Sequence, residues 1–331
     1  MNDKLISTDI KQHVLALLDD TSNQEALLSK IKEIHNHFQQ ATEITGFDNK
    51  MENLAAVPTA KGKALGLNHA AQCLLDYKRT PKFLKAMITA IKEKQEQYPE
   101  ETIKIFYAGC GPYAPFVTLI APLFSPEEIQ FSLLEINPGS LDSAKKLINA
   151  MELHTFIQEE HLADAVTFSI PNPKQYHILF SETLDALLFR ECYVPIVFNM
   201  LPQLRFDITL IPENVVIDLS LTTGLLQDED REEYKIDTIV DVRKAHSNQS
   251  NTTIPSQLEE VKVSLENYDM NKYQFMTLDT SVHVYKDIWL TRAESSLTLP
   301  LDITLEQPFI NKSIVFNYQI DPDIELKCTL E

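Results

Sequence analysis

The sequence predicts an α/β protein with a doubly wound, mostly parallel sheet, preceded by a helical region and followed by an antiparallel β sandwich or barrel. Three observations carry this. Helical periodicity dominates residues 1–100, strand-like and helical stretches alternate over 101–213, and from Asn214 to Glu331 nearly every segment alternates with a period of two.

"DIKQHVLALLDD" places Ile10, Val14, Leu15, Leu17 and Leu18 largely on one helical face, and "NQEALLSKIKEIHNHFQQAT" repeats this with Leu27, Ile31, Ile34 and Phe38. A loop or short-helix region holds Pro58, Gly62 and Gly66, and a helix is expected over roughly Ala70–Gln97, with Pro81 near its start or at a kink. "IKIFYAG", "IQFSLLEI", "AVTFSI", "YHILFSE" and "DITLIPENVVIDLSLT" are expected as strands. "VTLIAPLF" reads as a helix, and "SLDSAKKLINAM" as a helix opened by a serine cap. "VPIVFNMLPQL" reads as a partly helical stretch broken by prolines. Beyond it, "YKIDTIVDV", "EEVKVSLENY", "SVHVYKDIWL", "SSLTLPLDITL", "SIVFNYQI" and "IELKCTL" all alternate in the strand sense.

Composition limits the function classes. The net charge of -19 repels nucleic acid and attracts a cationic ligand. There is no run of about 18 apolar residues, so no membrane span is expected. The N-terminus lacks the apolar core of a secretory signal. Cys73, Cys110, Cys192 and Cys328 are scattered without a CxxC, which fits a reducing cytoplasm and argues against a structural zinc.

With only 7 glycines in 331 residues, Gly109-Cys110-Gly111 after a strand is a marked feature. Glycines at the carboxyl end of a parallel strand let a ligand approach the backbone closely. The next strand ends in Glu135, where a carboxylate can accept both ribose hydroxyls of a nucleoside. Dinucleotide and S-adenosylmethionine sites share this pattern. Here Pro112 and Tyr113 follow Gly111, so the third glycine of the dinucleotide fingerprint is missing, which favours the methyl donor. Taken alone, the turn also reads as a tight strand–helix connection with an incidental acid.

Further residues join this set. Arg79 offers a guanidinium fork suited to the carboxylate of an amino-acid-like donor, although a lone helical arginine is ordinarily solvated. Asp164 is placed to accept from an adenine amino group, or else to cap a turn. Glu182 and Glu191 stand nine residues apart after an apolar strand. That spacing brings them together only across a break in the helix, for which "TLDA" is the candidate. Asp185 is expected to cap. Tyr113 and Phe116 are expected near the cofactor or in the core, and Lys61 and Lys63 in solvent.

Asp76-Tyr77-Lys78-Arg79-Thr80-Pro81-Lys82-Phe83, Gly109-Cys110-Gly111, Glu135, Asp164, Ser181-Glu182 with Glu191, and "LIPENV" together resemble the protein arginine methyltransferases, a branch of the class I S-adenosylmethionine-dependent methyltransferases. The motifs span roughly residues 74–220. The resemblance implies a Rossmann-like methyltransferase domain over 101–213 and a β-rich substrate and dimerisation domain over 214–331. It implies S-adenosylmethionine as cofactor, held by Arg79, Gly109, Gly111, Glu135 and Asp164, and no metal. Glu182 and Glu191 would be the catalytic pair that grips and polarises a guanidinium. The acceptor would be arginine, free or within a peptide or protein, and the chain a cytoplasmic homodimer.

Two other readings stand beside this one. In the first, the methyl acceptor is an amine, hydroxyl or carboxylate of a small metabolite. In the second, the chain is a non-catalytic scaffold or partner subunit. The sequence also departs from the family. Tyr107 stands where an acid is usual, Thr183 and Leu184 replace an aromatic residue and a methionine, and the N-terminal helical region is longer than usual. The family's Thr-His-Trp loop has only a poor counterpart around His283 and Tyr285.

Overall fold

The computed structural model describes residues 3–19, 21–249 and 253–331. Two helices open the chain, α1 (Asp3–Leu17) and α2 (Gln24–Thr42), the second capped by Asn23, whose side chain accepts from the Ala26 N–H at 2.9 Å. The expected faces, apart from the exposed Leu15, meet at Ile10, Val14 and Leu17, which are buried with Ile31, Ile34 and Phe38. Each such side chain contributes about 1.5–3 kcal/mol by leaving water.

The helix expected over Ala70–Gln97 is two helices, Leu67–Gln72 and α3 (Arg79–Gln97), separated at Asp76. Asp76 causes the break. Its Oδ1 accepts from the backbone N–H of Arg79 at 3.0 Å, capping α3, and its Oδ2 accepts from the Ser295 hydroxyl at 2.7 Å. Pro81 lies in the first turn of α3, where its missing N–H costs nothing.

The central sheet has five parallel strands: β1 (Ile103–Ala108), β2 (Ile129–Glu135), β3 (Ile157–Leu162), β4 (Ile178–Ser181) and β5 (Thr209–Ile211), in the order β3-β2-β1-β4-β5. Central strands β1 and β2 are buried almost throughout, which explains their unbroken apolar runs. β3, at the edge, exposes every second residue. It is therefore the polar "IQEEHL" and not the expected "AVTFSI", which forms a turn bound to Asp164 Oδ1 through the Val166 N–H at 2.9 Å. After the glycine turn the chain makes one helical turn, Pro115–Thr118, and a 3₁₀ turn, because Pro122 prevents a longer helix. Helix α4 (Pro138–Ala150) is capped by Asn137 and not by the serine, since Asn137 Oδ1 accepts from the Gly139 N–H at 2.9 Å. Helix α5 (Tyr193–Met200) ends as expected at a proline-containing turn.

Beyond β5 lie two antiparallel sheets. The first is built on β6 (Asn214–Thr222), β7 (Glu233–Asp241), β9 (Phe275–Tyr285), β10 (Ile288–Leu290) and β11 (Leu301–Thr304), with β9 pairing β6, β10 and β11. The second is β8 (Val261–Ser264), β12 (Ser313–Gln319) and β13 (Glu325–Leu330). One short helix, α6 (Val242–Asn248), interrupts the strands. Periodicity does not reveal it, and Asp241 caps it by accepting from the Lys244 N–H at 2.9 Å. No helix among the described residues is long and apolar enough to cross a membrane.

The strand order fixes where a ligand can sit. The chain leaves β1 toward β2 on one side and returns to β4 on the other, so a crevice opens beyond the carboxyl ends of β1 and β4. Ala108 and Ser181 are register partners, which sets the glycine turn directly beside the loop that begins at Glu182.

Candidate active site

One cavity at this crevice is lined by Arg79, Gly109, Gly111, Glu135, Asp164, Glu182 and Glu191, the seven residues expected to hold the cofactor or the acceptor. Tyr113 and Phe116 line it as well. The Tyr113 hydroxyl donates to the Ile44 carbonyl at 2.6 Å, and Phe116 packs against Phe180 at 4.4 Å between ring centroids.

The two motif glycines have different reasons. Gly109 has φ +76°, and a Cβ there would collide with Thr183 Cγ2. Gly111 has φ +65°, and a Cβ there would point into open space, leaving the cavity wall bare where a ligand would lie. Gly109→Ala is expected to cost about 1–3 kcal/mol from the positive φ together with the clash. Thr183→Ser in the same chain is expected to recover part of this by removing Cγ2, as measured by chemical denaturation of the two variants.

Glu135 is buried and takes three backbone donors. Its Oε2 accepts from the Gly111 N–H at 2.8 Å, and its Oε1 from the Ile136 and Asn137 N–H groups at 2.9 Å. Burial nevertheless outweighs these donors and raises its pKa. One acceptor position, on Oε2, remains for a ribose hydroxyl. Asp164 uses Oδ1 for its turn and Oδ2 for the Ala60 N–H at 2.6 Å, so it ties the cavity to the loop around Ala60. In that loop the Lys63 N–H donates to the Arg190 carbonyl at 3.0 Å, and Lys61 pairs with Asp321 instead of standing free in solvent.

At the other end, Arg79 Nε donates to Glu182 Oε1, both side chains being more than nine-tenths buried. Burial works against the charge of Arg79, and the adjacent Glu182 more than offsets it, so its pKa stands above the ordinary arginine value. Glu182 is raised by burial, with Arg79 opposing. Glu191 is 9% exposed, and its carboxylate has no hydrogen-bond or ion-pair partner among the described residues. Burial first, then the nearby Asp185 and Glu182, push it up to about 8.

The break between the glutamates falls at Leu187 and Leu188, with φ of 60° and 54°, just beyond "TLDA". Such angles strain a leucine and persist only when neighbours enforce them. The C-terminal sheets supply that enforcement. The Leu187 N–H donates to Thr280 Oγ1 at 2.8 Å, and the Tyr318 hydroxyl donates to the Leu188 carbonyl at 2.8 Å. Asp185 closes the turn by accepting from the Arg190 N–H at 3.3 Å. Asp76, Thr280 and Tyr318 thus hold the site together, and no local sequence signal marks the last two. His283 and Tyr285 lie outside the cavity: His283 stacks on Trp289 at 4.0 Å, and Tyr285 donates to Glu93 at 2.7 Å.

Three thiols also line the cavity. Burial pushes Cys73 up to about 11, Cys192 up to about 12 and Cys110 well above the usual thiol value. They stay protonated near neutral pH and do not act as nucleophiles there.

A parallel sheet in this strand order, joined to C-terminal antiparallel sheets that brace its ligand edge, is the fold of the protein arginine methyltransferases. Among solved structures, the Trypanosoma brucei PRMT1 enzyme-prozyme heterotetrameric complex with AdoHcy is similar to this chain at a TM-score of 0.50, with 11% identity over 78% of this chain and 96% of that one. At this identity the likeness is one of fold. No family model and no curated protein matches the sequence.

Proposed function

We propose that the chain is an S-adenosylmethionine-dependent N-methyltransferase that acts on a guanidino nitrogen. The observation that carries this is the buried Glu191 carboxylate, without a partner among the described residues, in the same cavity as the Arg79–Glu182 pair and the glycine turn. The residues present fit the cofactor. Glu135 has one acceptor position left on Oε2 for a ribose hydroxyl, Arg79 has its two terminal nitrogens beyond the Nε used by Glu182, and Gly111 leaves open space. The AdoHcy in the fold relative supports the same choice. Bound there, the cofactor supplies an electrophilic methyl group on a sulfonium.

The acceptor's problem is its delocalised charge. Glu191 would accept two N–H bonds from a guanidinium and draw positive charge toward that side, localising a lone pair on the reacting nitrogen. Glu182, steadied by Arg79, would fix the cation's plane with its second oxygen. Glu191 would then take the proton that the methylated nitrogen has to lose. The net charge of -19 favours a cationic acceptor.

A second reading has its own support. The residues that line the cavity fall between Thr59 and Ile196, with none from the C-terminal sheets, which favours a small acceptor over a protein chain. The Trypanosoma brucei relative is an enzyme-prozyme heterotetramer, which supports assembly of this chain with a second subunit, a copy of itself or a distinct one. The test is transfer of a radiolabelled methyl group to arginine, guanidino metabolites, arginine-containing peptides and simple amines. Labelling of guanidino compounds alone supports the proposal. Labelling of amines alone moves the acceptor to the small-metabolite reading, and S-adenosylhomocysteine binding without any labelling points to a non-catalytic subunit.

A further inference from the structure

We propose that Tyr107 is a specificity residue that donates a hydrogen bond to the carboxylate of the methyl donor's amino-acid end, so that this site depends on the donor's carboxylate more than on its amino group. The inference rests on the cofactor reading above and deepens it.

Tyr107 is the second-last residue of β1, two positions before Gly109, and lines the cavity with Arg79, Gly109 and Glu182. Its ring is fixed. Phe180 meets it edge-on at 5.0 Å and 89°, and Phe116 at 6.0 Å and 69°. The residue is 2% exposed, and its hydroxyl has no hydrogen-bond partner among the described residues. The oxygen is not sealed in the core either, so what little surface it keeps faces the cavity. A phenol left unpaired at such a position is destabilising, and a ligand acceptor would recover that cost.

The chemistry sets which acceptor. Burial holds the Tyr107 pKa well above its usual value, so the group is neutral at any working pH and offers a donor. An acid in this position would attract an ammonium group, whereas a neutral phenol does so only weakly. A carboxylate is the group it serves best, and Arg79 beside it supplies the positive charge for the same ligand atoms. Arg79 Nε is already committed to Glu182, which leaves the terminal nitrogens and the phenol as the donors on this wall.

Calorimetry on the full chain tests this with three ligands: S-adenosylhomocysteine, its analogue lacking the α-amino group, and methylthioadenosine, which lacks the amino-acid end. Wild type is expected to bind the des-amino analogue within about threefold of S-adenosylhomocysteine. Tyr107→Phe, which keeps the ring and its packing, is expected to weaken S-adenosylhomocysteine about tenfold, the range for a hydrogen bond to a charged group, and to leave methylthioadenosine within about twofold. Equal weakening of both ligands would mean that the ring only packs, and would overturn the proposal. So would unchanged S-adenosylhomocysteine affinity in Tyr107→Phe, or a large loss on removing the amino group in wild type. Failure of wild type to bind any of the three would remove the cofactor reading itself, and this inference with it.

Discussion

Glu191→Gln is expected to lower methyl transfer at least about a hundredfold, the lower range for loss of a positioned acid–base group, while S-adenosylhomocysteine affinity stays within about threefold. The amide keeps the size of the carboxylate but neither its charge nor its capacity to take a proton. The same substitution carries a pH signature. In the folded chain Glu191 holds its proton up to about 8, against about 4.3 for an unperturbed glutamate. Folding therefore retains a proton that the unfolded chain releases. The stability this group contributes is fully present below the unfolded value and is lost as the pH rises through 8. Gln cannot ionise, so the variant should melt higher than wild type at pH 9 and alike at pH 4. For wild type, gripping a cation requires an ionised Glu191, so kcat/KM for a guanidino acceptor should rise with pH up to about 8. A flat profile across pH 6–9, with melting curves of variant and wild type that track each other, would show that Glu191 does not titrate in this role.

The second large effect concerns Arg79 and Glu182. Arg79→Met is expected to destabilise the chain by about 3–5 kcal/mol, because it leaves Glu182 buried without its partner. The double variant Arg79→Met/Glu182→Leu is expected to be more stable than the single one, since no unpaired charge remains in the interior. Chemical denaturation of wild type, both single variants and the double variant gives the coupling energy directly. Simple additivity would mean that the pair is effectively solvated. Both single variants should also lose S-adenosylhomocysteine affinity, Arg79→Met the more severely.

Much of this site is legible in the sequence because its parts lie at the ends of parallel strands. Apolar β1, β2 and β4 are readable as runs, and the residues at their carboxyl ends, Gly109, Glu135 and Glu182, then fall at the ligand edge by topology alone. The polar edge strand β3 escapes such a reading because one of its faces is exposed and the other only half-buried, and apolarity favours "AVTFSI" in its place. The fold of the loop between the two glutamates is not legible, since nothing in Leu187-Leu188 signals a left-handed backbone. It is imposed by Thr280 and Tyr318, which lie 93 and 130 residues further along the chain from the residues they bind. In the sequence Asp76 reads only as a motif position beside Arg79. Its physical work, capping α3 and holding Ser295, requires the C-terminal sheets to be in place. The Thr-His-Trp comparison fails for a related reason. His283 and Tyr285 sit at the far end of β9, five residues or fewer from Thr280, and the strand turns them toward Glu93 and Trp289 instead of the cavity.

The most direct test is calorimetric titration of the full chain with S-adenosylhomocysteine, alongside Glu135→Ala. Micromolar one-to-one binding by wild type, lost in the variant without a change in its fold by circular dichroism, is the expected result. Wild type that binds nothing at millimolar ligand, or a Glu135→Ala variant that binds as tightly as wild type, would contradict the assignment of this cavity to the methyl donor.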